Sequence, residues 1–373
     1  MEILVAGDFC PQDRTIDLVE KGNFQPILGQ VKNIISDVDY SIVNFECPVV
    51  EGGEKPIDKC GPNLSCSPKG IEAVRWAGFN CVTLANNHYL DYGESGALTT
   101  IAACNRLGID YVGGGKNINE ASQILFKEIK GTILAIINCC EHEFSIATDT
   151  SAGSNPLNPI KQYESILTAR RKADYVLIVV HGGNEYYSLP SPRMQETYRF
   201  FIDVGADAVV NHHQHCYSGY EVYKGKPIFY GIGNLCFDNP KYRQNIWNSG
   251  YLVKLSFCED KINFNLYPYI QCDDEPTVRF MTTEETKQFE ELINKFNQVI
   301  QDIDCLKKEY DCFLDLSKRE IMNLLEPYSG RVLELFKRGL LPRLLNKGKK
   351  IEMLAYVQCE SHLPKIINYL RKC

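Results

Sequence analysis

The stretch Gly205–Cys216, read GADAVVNHHQHC, concentrates three of the chain's seven histidines directly after a short apolar run, Ala206–Val210. A strand there would deliver His212, His213 and His215 to one edge of a sheet. His213 and His215 are two residues apart, so a regular strand would point them to opposite faces; converging on one site requires the backbone to turn between them. Imidazole is the commonest metal-ligating side chain near neutral pH, with a His-rich polar surface loop as the alternative. Other apolar runs also close on polar residues: Asp8, Glu46, Asn87 and His181. Carboxylates, an amide and imidazoles form a mixed N/O donor set suited to one or two divalent ions, Mn, Zn or Fe. Two ions would need a bridging carboxylate, a part Glu46 or Asp8 could take. Such a centre makes water nucleophilic at neutral pH for attack on a phosphoryl group. His88, next to Asn87, could protonate the leaving oxygen, help worth about 10²–10⁴-fold.

The elements that must position these residues follow from periodicity. Glu2–Ala6, Tyr40–Asn44, Phe79–Leu84, Asp110–Val112, Thr132–Cys139 and Tyr175–Val180 read as strands. Helices are expected around 24–36, 68–78, 91–107 and 160–171. Strands alternating with helices of this length are the mark of βαβ units and a buried, mostly parallel sheet, whose ligands bind outside the carboxyl ends of the strands. Residues 50–67 read as a long surface loop. Hairpins are expected at Lys130-Gly131 and Lys224-Gly225-Lys226, and an antiparallel pair over 250–269. Composition shifts near Thr282, and Thr283 is placed as the cap of a helix carrying Phe289, Leu292, Ile293, Phe296 and Ile300. The division is therefore a main domain over 1–280 and a C-terminal helical region over 281–373.

A net charge of −7 argues against a nucleic-acid partner. No apolar run reaches the roughly 18–20 residues of a spanning helix, and the start at MEILVAGDF resembles a strand more than a leader. A cytoplasmic location with reduced thiols is the expectation, despite sixteen cysteines. Arg331–Lys350 mixes seven basic residues with leucines; it could touch an anionic surface or polymer, the alternative being the solvated face of a packed helix. His142 is expected at the surface, His212 in an exposed loop and His362 on a solvated helix.

The ordered motifs Gly7-Asp8, Asn44-Phe45-Glu46-Cys47-Pro48, Ala85-Asn86-Asn87-His88 with Asp91-Tyr92-Gly93, His181-Gly182-Gly183-Asn184-Glu185-Tyr186, His213-Gln214-His215 and Gly231-Ile232-Gly233-Asn234 resemble those of the CapA family. These are poly-γ-glutamate capsule biosynthesis proteins, a branch of the calcineurin-like metallophosphoesterases, and the resemblance covers roughly residues 1–240. It implies an α/β fold, a metallophosphatase-like αββα sandwich with, here, a C-terminal helical appendage. It further implies metal ligation by Asp8, Glu46, Asn87, His181, His213 and His215, with Glu46 bridging, and a catalytic pair of His88 and Asn87. Glu185, Tyr186 and Asn234 fall to substrate binding, with wall packing for Tyr186 and a turn cap for Asn234 as alternatives. The implied activity is metal-dependent hydrolysis of a phosphoester or related bond in surface-polymer synthesis, on a phosphorylated or polyanionic molecule or polymer. The alternative is a non-hydrolytic assembly factor working through polymer-synthesis partner proteins. Three departures stand out: Cys10 replaces the histidine of Asp-x-His, Gln214 a proline, and Gly182 an aromatic residue. The first removes one imidazole and weakens one metal position.

Overall fold

The computed structural model describes residues 1–259, 261–316, 325–358 and 370. Its organising strand is β1 (Glu2–Phe9), buried on both faces. Ile3 and Val5 point to one side, Leu4 and Ala6 to the other, and none is exposed. A strand apolar on both faces must be sandwiched. In chain order follow α1 (Arg14–Glu20), α2 (Gln25–Ile35), β2 (Tyr40–Phe45), α3 (Lys69–Ala77), β3 (Cys81–Thr83), α4 (Gly93–Leu107), β4 (Asp110–Val112) and β5 (Gly114–Gly115). Then come α5 (Ile118–Ala121), β6 (Leu125–Ile129), β7 (Thr132–Cys140), β8 (Gly153–Ser154), α6 (Pro159–Arg170), β9 (Tyr175–His181), α7 (Pro192–Asp203) and β10 (Ala208–His212). The remaining strands are β11 (Tyr220–Tyr223), β12 (Lys226–Phe229), β13 (Asn234–Cys236), β14 (Ser249–Phe257), β15 (Ile262–Gln271) and β16 (Val278–Phe280), before helix α8 (Thr283–Gln301).

One sheet runs β16-β15-β14-β1-β2-β3-β4, with β13 pairing the end of β1; the other runs β11-β12-β10-β9-β7-β6. β1, β2, β3 and β4 are parallel, as are β7, β9 and β10. The sheets pack face to face through Ile3, Val5 and Ile42 on one side and Ile136, Leu177, Val179 and Val210 on the other. The first sheet's outer face, with Leu4, Val43 and Val82, is covered by Ile27 and Val31 of α2 and by Ile71 and Val74 of α3. The second sheet's outer face, with Ile137, Ile178 and Val209, is covered by Ile166 of α6 and by Tyr198 and Phe201 of α7. This is the α/β fold expected, layered as an αββα sandwich, and both predicted hairpins are present.

Seven of these elements were not foreseen: α1, α5, α7, β5, β8, β13 and β16. The α7 signal was in the sequence, because Ser191 caps it by accepting from the Met194 N–H, and Met194, Tyr198, Phe201 and Ile202 are buried at helical spacing. The cap of α8 is Thr282, not Thr283; Thr282 and Glu285 form a reciprocal capping box. The compact unit containing the sandwich runs over Met1–Lys307, past the composition break at 280, because Phe289 and Ile293 of α8 join the inter-sheet core. Lys308–Cys373 forms a second compact unit; α9 (Ile303–Leu316) starts before its first residue, and α10 (Gly330–Lys337) and α11 (Lys347–Gln358) fall inside it. His362 lies outside the described residues. No helix among those described is long and apolar enough to cross a membrane, and the fourteen described cysteines are free.

The pairing of β1 with β2 shifts register between Ala6 and Asp8, which places Gly7 at a bulge of the kind that re-aims a side chain beside a site. A Cβ on Gly7 would sit 2.0 Å from the Gly233 carbonyl oxygen and 3.1 Å from the Leu235 nitrogen. Both are backbone atoms of the adjoining β13 segment, so nothing flexible yields. Gly7→Ala is therefore expected to cost about 1–3 kcal/mol, read as a lower urea midpoint; an unchanged midpoint would mean the strands can part there without loss.

Candidate metal centre

The carboxyl ends of β1, β2, β9 and β10 open onto one place. Asp8 comes from the end of β1, and Glu46 from the residue after β2. Asn87 and His88 follow β3, His181 ends β9, and His213 and His215 follow β10. All of these are buried. The backbone does turn after β10: His213 has a φ of 88° and His215 a φ of 54°, a left-handed conformation rare for side chains with a Cβ. That strain is what lets two histidines, two residues apart, face the same centre.

Asp8, Glu46 and His215 present three donor atoms within 4.8 Å of one another, and so do Glu46, His181 and His213. Glu46 is common to both groups. Its Oε1 lies 3.4 Å from His181 Nε2 and 3.6 Å from His215 Nε2, and neither of its oxygens receives a hydrogen bond. His213 Nδ1 is 3.1 Å from His181 Nε2.

Neighbouring amides set the orientation of these donors. Asn234 Nδ2 donates to the carbonyls of His215 and Trp247, which leaves its Oδ1 to accept from His215 Nδ1 at 2.8 Å. His215 Nε2 therefore faces Glu46, the usual way a ligating imidazole is held. Asn87 Nδ2 donates to Glu143 Oε2 at 3.1 Å, turning Asn87 Oδ1 toward His181 Nε2, 3.0 Å away. Asn44 Nδ2 donates to Asp8 Oδ1 at 2.7 Å and lies 3.2 Å from His181 Nδ1.

His88 is held separately. Its Nδ1 is 2.6 Å from Asp91 Oδ2, which also accepts from the Leu64 N–H. The ammonium of Lys59 is paired with the other Asp91 oxygen and lies 3.1 Å from His88 Nδ1. The Lys59 side chain is only 2% exposed. Above the centre lies a cleft of about 360 Å³ lined by His88, Glu185, Tyr186, His215 and Trp247, among others. Tyr186, 40% exposed, stacks beside Tyr242 and Trp247.

Three site expectations change. Asn234 does not line the cleft; it is fully buried and its amide is spent on His215 and Trp247, so it holds a histidine in place of touching a ligand. His212 is not exposed but 1% accessible at the end of β10, its Nε2 donating to the Ala6 carbonyl at 3.0 Å and so tying the two sheets. Residues 50–67 are loop, but not all surface, since Lys59 dips to Asp91. Glu143, Asn44, Asp91 and Lys59 were not foreseen as site residues. Asp91 and Asn44 belonged to quoted motifs, whereas one lysine in a Gly/Pro/Lys-rich loop carried no signal. His142 is exposed as expected.

The donor set fits a divalent cation on physical grounds. Burial, and next the negative charge of Asp8, push the Glu46 carboxyl well above its ordinary range. Burial also holds His181 well below the usual imidazole range and His213 down at about 3. Those histidines therefore stay neutral and cannot serve as the counter-cations of Glu46. A buried carboxyl that receives no hydrogen bond and can ionise only beside a positive charge, set among the neutral His181 and His213, makes a good cation cradle. Cys10 stands outside it. Burial raises its thiol above the ordinary value, its sulfur accepts from Gln12 Nε2 at 3.4 Å, and no three-donor group among the described residues includes it. Cys10→Ser is accordingly expected to leave metal content unchanged by elemental analysis; loss of about one equivalent would make the sulfur a donor.

The model of the bacterial capsule synthesis protein PGA_cap family matches residues 2–239. The chain belongs to that family. Within it, the chain is 32% identical over 246 residues to the capsule biosynthesis protein CapA of Bacillus anthracis, covering 64% of this chain and 60% of that one. It is 30% identical over 236 residues to the PGA biosynthesis protein CapA of Bacillus subtilis, covering 62% of each. The chain thus spans about three fifths of the length of these curated relatives. Among solved structures, a 5'-nucleotidase precursor from Thermus thermophilus superposes with a TM-score of 0.43 at 10% identity, over 81% of this chain and 59% of that one. The matched family region ends just beyond Asn234, so it takes in every donor described above.

Proposed function

We propose that this PGA_cap protein is a metal-dependent hydrolase acting on a phosphoester or related bond in the synthesis of a surface polymer. The observation that supports it most is Glu46, a fully buried carboxylate without a hydrogen-bond donor that is shared by two donor groups. Asp8 and His215 would hold one Mn, Zn or Fe ion with it, and Asn87, His181 and His213 a second. Bound there, such an ion supplies Lewis-acid charge to a scissile phosphoryl or carbonyl oxygen and acidifies a nearby water. The protein's own groups do the rest. Asp91 fixes the His88 ring through Nδ1, so Nε2 is the nitrogen left to exchange a proton with the leaving oxygen. Asn234 and Glu143 keep His215 and Asn87 turned inward. Tyr186 lines the cleft wall against which a substrate would lie.

The relatives named for capsule and PGA biosynthesis support the polymer context, and a phosphorylated or polyanionic substrate in that pathway is part of the same proposal. A second reading, a non-hydrolytic assembly factor with polymer-synthesis partner proteins, draws on the weakened position at Cys10. The test is elemental analysis of purified protein together with a panel of phosphoester and amide substrates. Stoichiometric metal with turnover supports the hydrolase. Metal without turnover across the panel favours the assembly factor. Full metal retention after simultaneous His213→Ala and His215→Ala would sink the metal reading altogether.

A further inference from the structure

On the cleft side, the donor set above is incomplete. Asp8, Glu46 and His215 offer three donors, and the buried Cys10 thiol adds none to them. A third group brings in Glu185, with a carboxylate oxygen, a ring nitrogen of His213 and one of His215 all within 4.8 Å of one another. Glu185 is the exposed member of the three, yet its backbone is not free. The next residue, Tyr186, takes a left-handed φ of 61°, and its N–H donates to the Gln214 carbonyl at 2.8 Å. Gln214 Nε2 in turn donates to the carbonyls of Tyr187 at 2.8 Å and Leu189 at 3.1 Å. Gln214 lies between the two histidines, so three hydrogen bonds strap the Glu185 loop to the histidine turn. Two of them come from the side-chain amide, which a proline at 214 would lack.

We propose that Glu185 is a further divalent-cation donor that closes over His213 and His215 from the cleft side. The proposal rests on the metal-dependent reading above. It makes Gln214 a positioning residue, whose backbone and side-chain amide hold the loop that carries Glu185. Glu46 is the independent sign of a cation here, since its donorless oxygens, fully buried, face His181 and His215.

The experiment uses the full chain, stripped with a chelator, reloaded with Mn²⁺ or Zn²⁺, and followed by elemental analysis, chelator competition and the rise in melting temperature on loading. Glu185→Gln keeps size and hydrogen bonding while weakening the donor. It is expected to keep the far-UV spectrum of the parent but to lose about one metal equivalent, or to bind one ion at least roughly tenfold more weakly. Glu185→Asp should recover part of the loss, and Gln214→Pro should share it with Glu185 intact. Parent-like metal content and competition in Glu185→Gln would overturn the proposal. If that result comes while the double histidine variant loses its metal, Glu185 alone is wrong. If the parent takes up no divalent ion, the metal-dependent reading falls and this inference with it.

Discussion

Stripped of metal, a Glu46→Gln variant is expected to be more stable than the parent above about pH 4.5, by a margin that widens as pH rises. In the metal-free parent, the Glu46 carboxyl keeps a proton that the unfolded chain has already released near its ordinary value of 4.5. Its stabilising contribution is complete below that pH and drains away as pH climbs toward the raised folded value, at about 1.4 kcal/mol per pH unit for one proton. His181 and His213 run the other way. Their folded values lie below the ordinary 6.5, so they contribute fully above pH 6.5 and lose that contribution as pH falls beneath it. Together these groups place the stability maximum of the metal-free parent near pH 6.5, with an alkaline decline that belongs to Glu46. Substituting glutamine removes that decline, and supplying Mn²⁺ or Zn²⁺ to the parent should remove it too, because the carboxylate is then paired. Urea midpoints at pH 6.5, 7.5 and 8.5, with chelator and with metal, check this. Parallel curves for parent and variant would mean that Glu46 is already ionised without a cation.

The second large effect concerns His88. His88→Ala is expected to retain metal, since the donor groups do not include it, while turnover of whichever panel substrate is active falls by roughly 10²-fold or more. Asp91→Asn tests the positioning role separately. It should lower kcat with little change in KM, and elemental analysis should again find the metal in place. Equal loss of metal and turnover in His88→Ala would make the residue a donor or a structural support.

What the sequence made legible is what periodicity and residue type encode. β1, β2, β9 and β10 announce themselves as apolar runs, and the polar residues at or just past their ends mark the site because parallel strands share one carboxyl edge. The turn needed to bring His213 and His215 together follows from their spacing alone. Less legible were contacts made across long separations. Nothing local says that Asn234 holds His215, since the pairing depends on β13 lying beside β1. His212 looked exposed because its neighbours are polar, yet the inter-sheet hydrogen bond to Ala6 draws it inside. Lys59 comes from a loop whose composition reads as solvent, and only the buried carboxylate of Asp91, 32 residues on, gives an ammonium a reason to be there.

The place of β1 in its sheet bears on how the chain is made. β1 is made before the other strands of its sheet, yet it lies inside that sheet, flanked by β2 on one side and by β14 on the other, with Leu4 paired to Lys254 and the Met1 nitrogen bonded to the Phe257 carbonyl. Its far edge stays unpaired until some 250 residues have been synthesised, a span over which closing contacts is slow and open strand edges invite association. Asp8 and Glu46 emerge early, whereas His213 and His215 arrive some 170 to 200 residues later. The proposed cation cradle therefore cannot template the early sheet, and its last donors are made only shortly before β14 closes the far edge of β1.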